Sequence, residues 1–172
     1  LYLGLNVSAQ NLLKASLIQS VNDAANALTF FLQRGEFLNL MNQKARELNM
    51  TNTVFYDSSG LSTNNKTTAT DIYKLLTYIR QNRPEIFQIT RDNDFWLPGY
   101  DGRLLKFQNV NRFYEIPEFI GGKTGYLKKA GETLASVFVI KEKPIAIILF
   151  SSKDRQSDVI KILNWLKINP SL

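Results

Sequence analysis

The chain has 172 residues, a net charge of +6, 44% hydrophobic and 21% charged residues, the balance of a folded globular protein and not of a disordered one. It contains no cysteine and no histidine. That excludes disulfides, thiolate zinc sites, a cysteine nucleophile, a Ser-His-Asp triad and His-ligated metals, and leaves acid–base chemistry to Lys, Asp, Glu or Tyr.

The length suits a single domain over residues 1–172 with a core of ordinary size. No apolar run approaches the ~20 residues that cross a bilayer. The basic residues are scattered and not interleaved with aromatics, which argues against nucleic acid as a partner. The same charge suits a mild attraction to anionic cell-surface polymers and leaves room for peripheral membrane association. The chain opens at Leu1-Tyr2-Leu3 without an initiator methionine, the pattern expected of a fragment or processed product.

In chain order, Leu12, Leu13, Leu17 and Ile18 at helical spacing predict a helix over 9–18 with Ser8 as N-cap. A break near Gln19 to Asn22 precedes a second helix from Asp23 to about Arg34, with Gly35 as its stop. A third helix spans Glu36 to Asn49, with Phe37, Leu40, Met41, Ala45 and Leu48 on one face. Residues 51–65 read as irregular, with a turn at Asp57 to Gly60. Thr70 is expected to cap a helix lined by Ile72, Leu75, Leu76 and Ile79, and Pro84 to start a short one through about Thr90. Short strands around a turn fit 92–112.

The last third changes character. Three strands are expected at 119–125, 132–141 and 144–152, with a tight hairpin at Lys141 to Pro144, followed by a closing helix over 154–168. This is an α+β layout, helices first and an antiparallel meander last. The run Ile145 to Phe150 is continuously apolar, as in a strand buried on both faces, yet nothing after it supplies a second partner. An exposed apolar edge invites aggregation, so partner strands are expected N-terminal to Leu1.

Two stretches carry chemistry. Gly121-Gly122-Lys123-Thr124-Gly125-Tyr126 offers an ammonium, a hydroxyl and a backbone open to close approach. A tight turn with a surface lysine is the simpler reading. Ser20-Val21-Asn22 places a hydroxyl and a carboxamide at a helix–helix break, where one could relay a proton and the other fix an amide. The simpler reading there is a cap for the Asp23 helix.

Together, a Ser-x-Asn and, about a hundred residues on, a Lys-Thr-Gly resemble the secondary motifs of active-site-serine penicillin-recognising enzymes. The chain is similar to the D-alanyl-D-alanine carboxypeptidase branch, the low-molecular-weight penicillin-binding proteins of peptidase family S11. The likeness extends over Leu12 to Ala25, Met41 to Phe55, Ser59-Gly60-Leu61, Thr68 to Asp71, Asn109 to Arg112, and Gly122 to Tyr126 with Ala130-Gly131. One departure is serious: the family's nucleophile and general-base lysine lie in a Ser-x-x-Lys, and no serine of this chain is followed three residues later by lysine.

The resemblance implies a β-lactamase/transpeptidase-like fold whose N-terminal strands and nucleophile helix lie before Leu1. For the complete protein it implies an extracytoplasmic serine-type D-Ala-D-Ala carboxypeptidase acting on peptidoglycan stem peptides, acylated by β-lactams and needing no metal or organic cofactor. Ser20 would pass a proton to the leaving amine, Asn22 hold the substrate amide, and Lys123 tune the potential near Ser20. Thr124 would bind the substrate carboxylate, Gly125 keep the strand edge open, and the Tyr126 N–H form half of an oxyanion hole. Arg155 is either a second carboxylate contact or, as the simpler reading has it, a solvated surface arginine. The rival expectations are a catalytically inactive peptidoglycan-binding relative, a fragment that folds only with its missing piece, and a β-lactamase.

Overall fold

In the computed structural model, which describes residues 5–99 and 101–169, the helices-then-meander order holds. Helix α1 (Ala9–Ile18) starts where Ser8 Oγ accepts the Asn11 N–H at 3.2 Å, and it buries Leu12, Ala15 and Ile18. Helix α2 (Asn22–Leu28) is shorter than its sequence suggests. Thr29 folds back, its hydroxyl donating to Asn26 O at 2.7 Å, and a 3₁₀ turn over Thr29–Phe31 ends the segment. Gly35 is therefore not a stop; it lies in the first turn of α3 (Arg34–Glu47), which the extended backbone of Gln33 begins. Of the apolar face expected on α3, Ala45 is buried and Leu40 is exposed.

Residues 48–68 are irregular, and side chains organise them. Asp57 accepts the amides of Gly60, Leu61 and Ser62 and the Asn65 carboxamide. Buried Asp71 accepts from the Asn52 N–H, the Thr53 hydroxyl and Lys74. Thr68, not Thr70, caps α4 (Ala69–Asn82): Thr68 is the extended residue, and its Oγ1 accepts the Asp71 N–H at 3.2 Å. Pro84 opens α5 (Pro84–Arg91), where its missing N–H costs nothing. Strands β1 (Asp94–Pro98) and β2 (Leu104–Gln108) form an antiparallel hairpin. Its Leu97 and Phe107 pack on Leu12, Ala15 and Ala24 of α1 and α2.

Strands β3 (Phe119–Leu127), β4 (Gly131–Ile140) and β5 (Lys143–Ser152) make an antiparallel sheet in the order β3-β4-β5. Lys141 and Glu142, both at left-handed φ (50° and 64°), make the two-residue turn of the second hairpin. Helix α6 (Arg155–Ile168) is capped by Asp154, which accepts the Ser157 N–H at 2.9 Å. The side chains of β4 divide by parity. Leu134, Phe138 and Ile140 join Val159, Leu163 and Leu166 of α6 in one core, while Val137 meets Leu76 of α4 and Phe87 of α5 on the other face.

β5 has the one-sided pairing that its sequence context led one to expect. It lies at the end of the sheet, only Ile147 of its apolar run is fully buried, and Phe150 is exposed. Among the described residues no strand pairs its outer edge. Near its end the register with β4 shifts: Leu134 faces Leu149 but Glu132 faces Ser152, so β5 carries an extra residue, with Ser151 at φ 55°. That is a β-bulge, which bends the strand and re-aims its neighbours. Among the described residues no helix is long and apolar enough to cross a membrane.

Candidate active site

The site begins with a backbone irregularity. After α1 ends, Ser20 takes a left-handed φ of 57°, a conformation that costs a non-glycine residue roughly 1 kcal/mol or more. The N-cap of α2 is Val21, which makes no side-chain cap. The capping role that a sequence reader would first assign to Ser20 or Asn22 is therefore unfilled by either. Tertiary bonds hold the junction instead: Val21 N–H donates to Ala15 O at 3.2 Å, and Val110 N–H to Ile18 O at 3.1 Å.

The Ser20 hydroxyl meets β3. Lys123 Nζ donates to Ser20 Oγ at 2.7 Å, across 103 residues of sequence, and to the neighbouring Thr124 O at 2.8 Å. Burial of the ammonium, with the Arg155 charge adding to it, pushes Lys123 down to about 8. A short contact to a hydroxyl and a weakened hold on its proton make Lys123 a group able to exchange protons near neutral pH. Asn22 stands exposed in the first turn of α2, and its carboxamide makes no hydrogen bond among the described residues.

Close packing sets the position of β3. A Cβ at Gly121 would lie 2.6 Å from Phe87 Cβ, and one at Gly122 would lie 2.1 Å from Ser136 Oγ. A polar clamp then fixes Gly122: its N–H donates to Thr90 Oγ1 at 3.0 Å and its carbonyl accepts from Asn111 Nδ2 at 3.4 Å. Asn109 completes the clamp by donating to the Thr90 and Asp92 carbonyls and accepting the Asn111 N–H. Thr90, Asn109 and Asn111 are all buried. Sequence reasoning assigned none of the three a role, although Asn-x-Asn ahead of a strand was the visible signal.

Backbone alternation does the rest. The Gly122 amide faces away from β4, so the amides of Thr124 and Tyr126 fall on the same outer edge. That edge can receive an extended peptide. The Tyr126 side chain is exposed. At Gly125 a Cβ would lie 2.6 Å from the Oγ1 of Thr133, its cross-strand neighbour on β4.

Buried Thr124 lines a cavity of about 210 Å³ together with Asn111, Phe113, Glu132 and Arg155. Arg155 is not a solvated surface residue. Its side chain is 21% exposed, and Nη1 donates to Gly125 O at 2.9 Å. The cavity thus pairs a hydroxyl with a guanidinium, the donor set for a carboxylate. Among the described residues, no group of His, Cys, Asp or Glu could hold a metal ion.

A model of the D-alanyl-D-alanine carboxypeptidase family, Peptidase S11, matches residues 1–154. The chain is 35% identical to a D-alanyl-D-alanine endopeptidase of Haemophilus influenzae, over 80% of this chain and 47% of that protein. It is 31% identical to a D-alanyl-D-alanine endopeptidase of Escherichia coli, over 94% of this chain and 54% of that one. The crystal structure of a D-alanyl-D-alanine carboxypeptidase from Mycobacterium tuberculosis superposes with a TM-score of 0.85 at 28% identity, covering 98% of this chain and 67% of the other. The chain spans about half the length of the curated relatives it matches.

Proposed function

The chain belongs to the D-alanyl-D-alanine carboxypeptidase family, and from that premise we propose that it is the substrate-holding part of an extracytoplasmic serine-type D-Ala-D-Ala peptidase acting on peptidoglycan stem peptides. The observation that carries this reading is the 2.7 Å contact between Lys123 Nζ and Ser20 Oγ, which joins the Ser-x-Asn and Lys-Thr-Gly stretches into one cleft. The nucleophile comes from a Ser-x-x-Lys segment outside these 172 residues, since none of the serines here has that context.

The substrate lies along the outer edge of β3, with its terminal carboxylate at the Thr124 hydroxyl and Arg155. The external serine attacks the carbonyl between the two D-alanines while its neighbouring lysine takes the proton. The developing oxyanion is held by the Tyr126 N–H and the serine's own amide. Ser20, hydrogen-bonded to Lys123, passes a proton to the departing amine, and Asn22 holds the acyl-side amide. The C–N bond breaks, the amine leaves as the free D-residue, and water then cleaves the ester to release the shortened stem peptide.

A fluorescent penicillin tests this on the full-length polypeptide. Label is expected on the serine of the external Ser-x-x-Lys, with Lys123→Ala slowing acylation on the order of 10²-fold. Label mapped to Ser20 would reassign the nucleophile. No label despite an intact Ser-x-x-Lys would favour the inactive peptidoglycan-binding relative.

A further inference from the structure

Arg155 is the first residue of α6, and its side chain reaches Gly125 from a helix start that is held against the start of β4. Glu132 does the holding. Its Oε2 accepts the Arg155 backbone N–H at 2.9 Å, while its Oε1 stands 3.9 Å from Arg155 Nη2. The second distance is too long for a hydrogen bond, and an ion pair at this exposure contributes little. The backbone contact is therefore the one that matters. The bulge in β5 makes it available, because it sets Glu132 opposite Ser152, three residues before Arg155.

Securing the helix does not require Glu132. Asp154 already caps α6, and Ser152 Oγ already bonds Asp158 Oδ2 at 2.7 Å and the Asp154 N–H at 3.2 Å. What Glu132 adds falls on residue 155 alone. With the backbone pinned at Glu132 and Nη1 on Gly125 O at 2.9 Å, the arginine is fixed at both ends and its guanidinium is held beside Thr124.

We propose that Glu132 is a positioning residue that fixes Arg155 at the carboxylate subsite, so that this subsite selects leaving residues bearing a free α-carboxylate. This rests on the reading of Thr124 and Arg155 as the carboxylate contacts. A preorganised guanidinium binds an anion without first giving up side-chain entropy, so the effect belongs to substrate binding and not to bond cleavage.

The test uses the full-length polypeptide and two substrates, an N-acylated D-Ala-D-Ala peptide and its C-terminal methyl ester. Glu132→Ala is expected to raise KM for the free acid about fivefold, with kcat nearly unchanged and the ester little affected. Glu132→Gln keeps an acceptor oxygen and is expected to restore KM to within about twofold of the parent. Glu132→Asp keeps the charge but falls short of the Arg155 amide, so it should behave like Glu132→Ala and carries the test if the alanine variant fails to fold. Arg155→Ala is the reference and should abolish the preference for the acid. If Arg155→Ala leaves that preference intact, the subsite reading itself fails. If Arg155→Ala removes the preference while Glu132→Ala and Glu132→Asp do not, the role of Glu132 is overturned. A loss of thermal stability in the Glu132 variants with an unchanged acid-to-ester ratio also overturns it.

Discussion

β3 and β5 flank the same central strand, yet different chemistry builds their outer edges. Along β3, glycines admit Phe87 and Ser136 at distances no side chain would allow, a buried Thr90–Asn109–Asn111 clamp holds the backbone, and Lys123 reaches across to Ser20. Along β5 the residues are apolar, Phe150 is exposed, and no described strand covers the edge. Helices α4 and α6 contact β5. One edge is fixed by polar partners that leave selected groups available, while the other has no strand partner among the described residues and exposes Phe150. The edge proposed to hold substrate is distinguished by how tightly it is held, not by how open it is.

The most severe way to break that contrast is to spoil the fit of β3. Gly122→Ala is expected to destabilise the fold by about 1–3 kcal/mol, read from the denaturation midpoint. Adding Ser136→Gly should not restore it, because Ala135 O would still lie 2.6 Å from the new Cβ. Full rescue by the double variant would show that the strand position is set elsewhere.

A smaller effect concerns the charge on β3. Folded Lys123 releases its proton near pH 8, whereas its ordinary value is 10.5. Below about 8 the folded state carries the full cost of a charged group in a half-buried site. Between the two values the unfolded chain binds the extra proton, so stability rises with pH there. The Tm of the parent should therefore gain on that of Lys123→Met from pH 8 to 10. A pH-independent difference would show that the site does not depress the lysine.

The mildest test is at the opposite edge. Phe150→Lys should change stability by no more than about 0.5 kcal/mol. It should nonetheless reduce self-association of the 172-residue chain in light scattering, since a charge blunts edge-to-edge pairing. Unchanged association would mean that the β5 edge is not the sticky surface.

Sequence reasoning located elements well where a cap and an apolar period agreed, as for Ser8 with α1, Pro84 with α5 and the sheet hairpins. It failed where tertiary bonds overrode local preference. Thr29 ended α2 early and left Gly35 inside α3, and Thr68 displaced Thr70 as a cap because the extended residue is chosen by the loop that Asp71 anchors. The apolar run of β5 was read as a strand lacking a second partner, and among the described residues its outer edge has none. Ser20, Asn22, Lys123 and Thr124 were visible as short motifs. Of the Thr90 clamp only the Asn-x-Asn showed, since its bonds join α5 to β3, and the Glu132–Arg155 hold did not show at all, since it depends on a one-residue bulge whose register no local pattern announces.

Ser20 sits in a backbone conformation that glycine would adopt freely. Ser20→Gly should relax the junction and at the same time remove the hydroxyl from Lys123. Folding and chemistry thus favour different residues at one position. Under the role proposed for Ser20, a screen for heat resistance alone would drift toward a substitution that removes the Lys123 partner, so a thermostability campaign on this protein should hold position 20 constant and score activity beside melting.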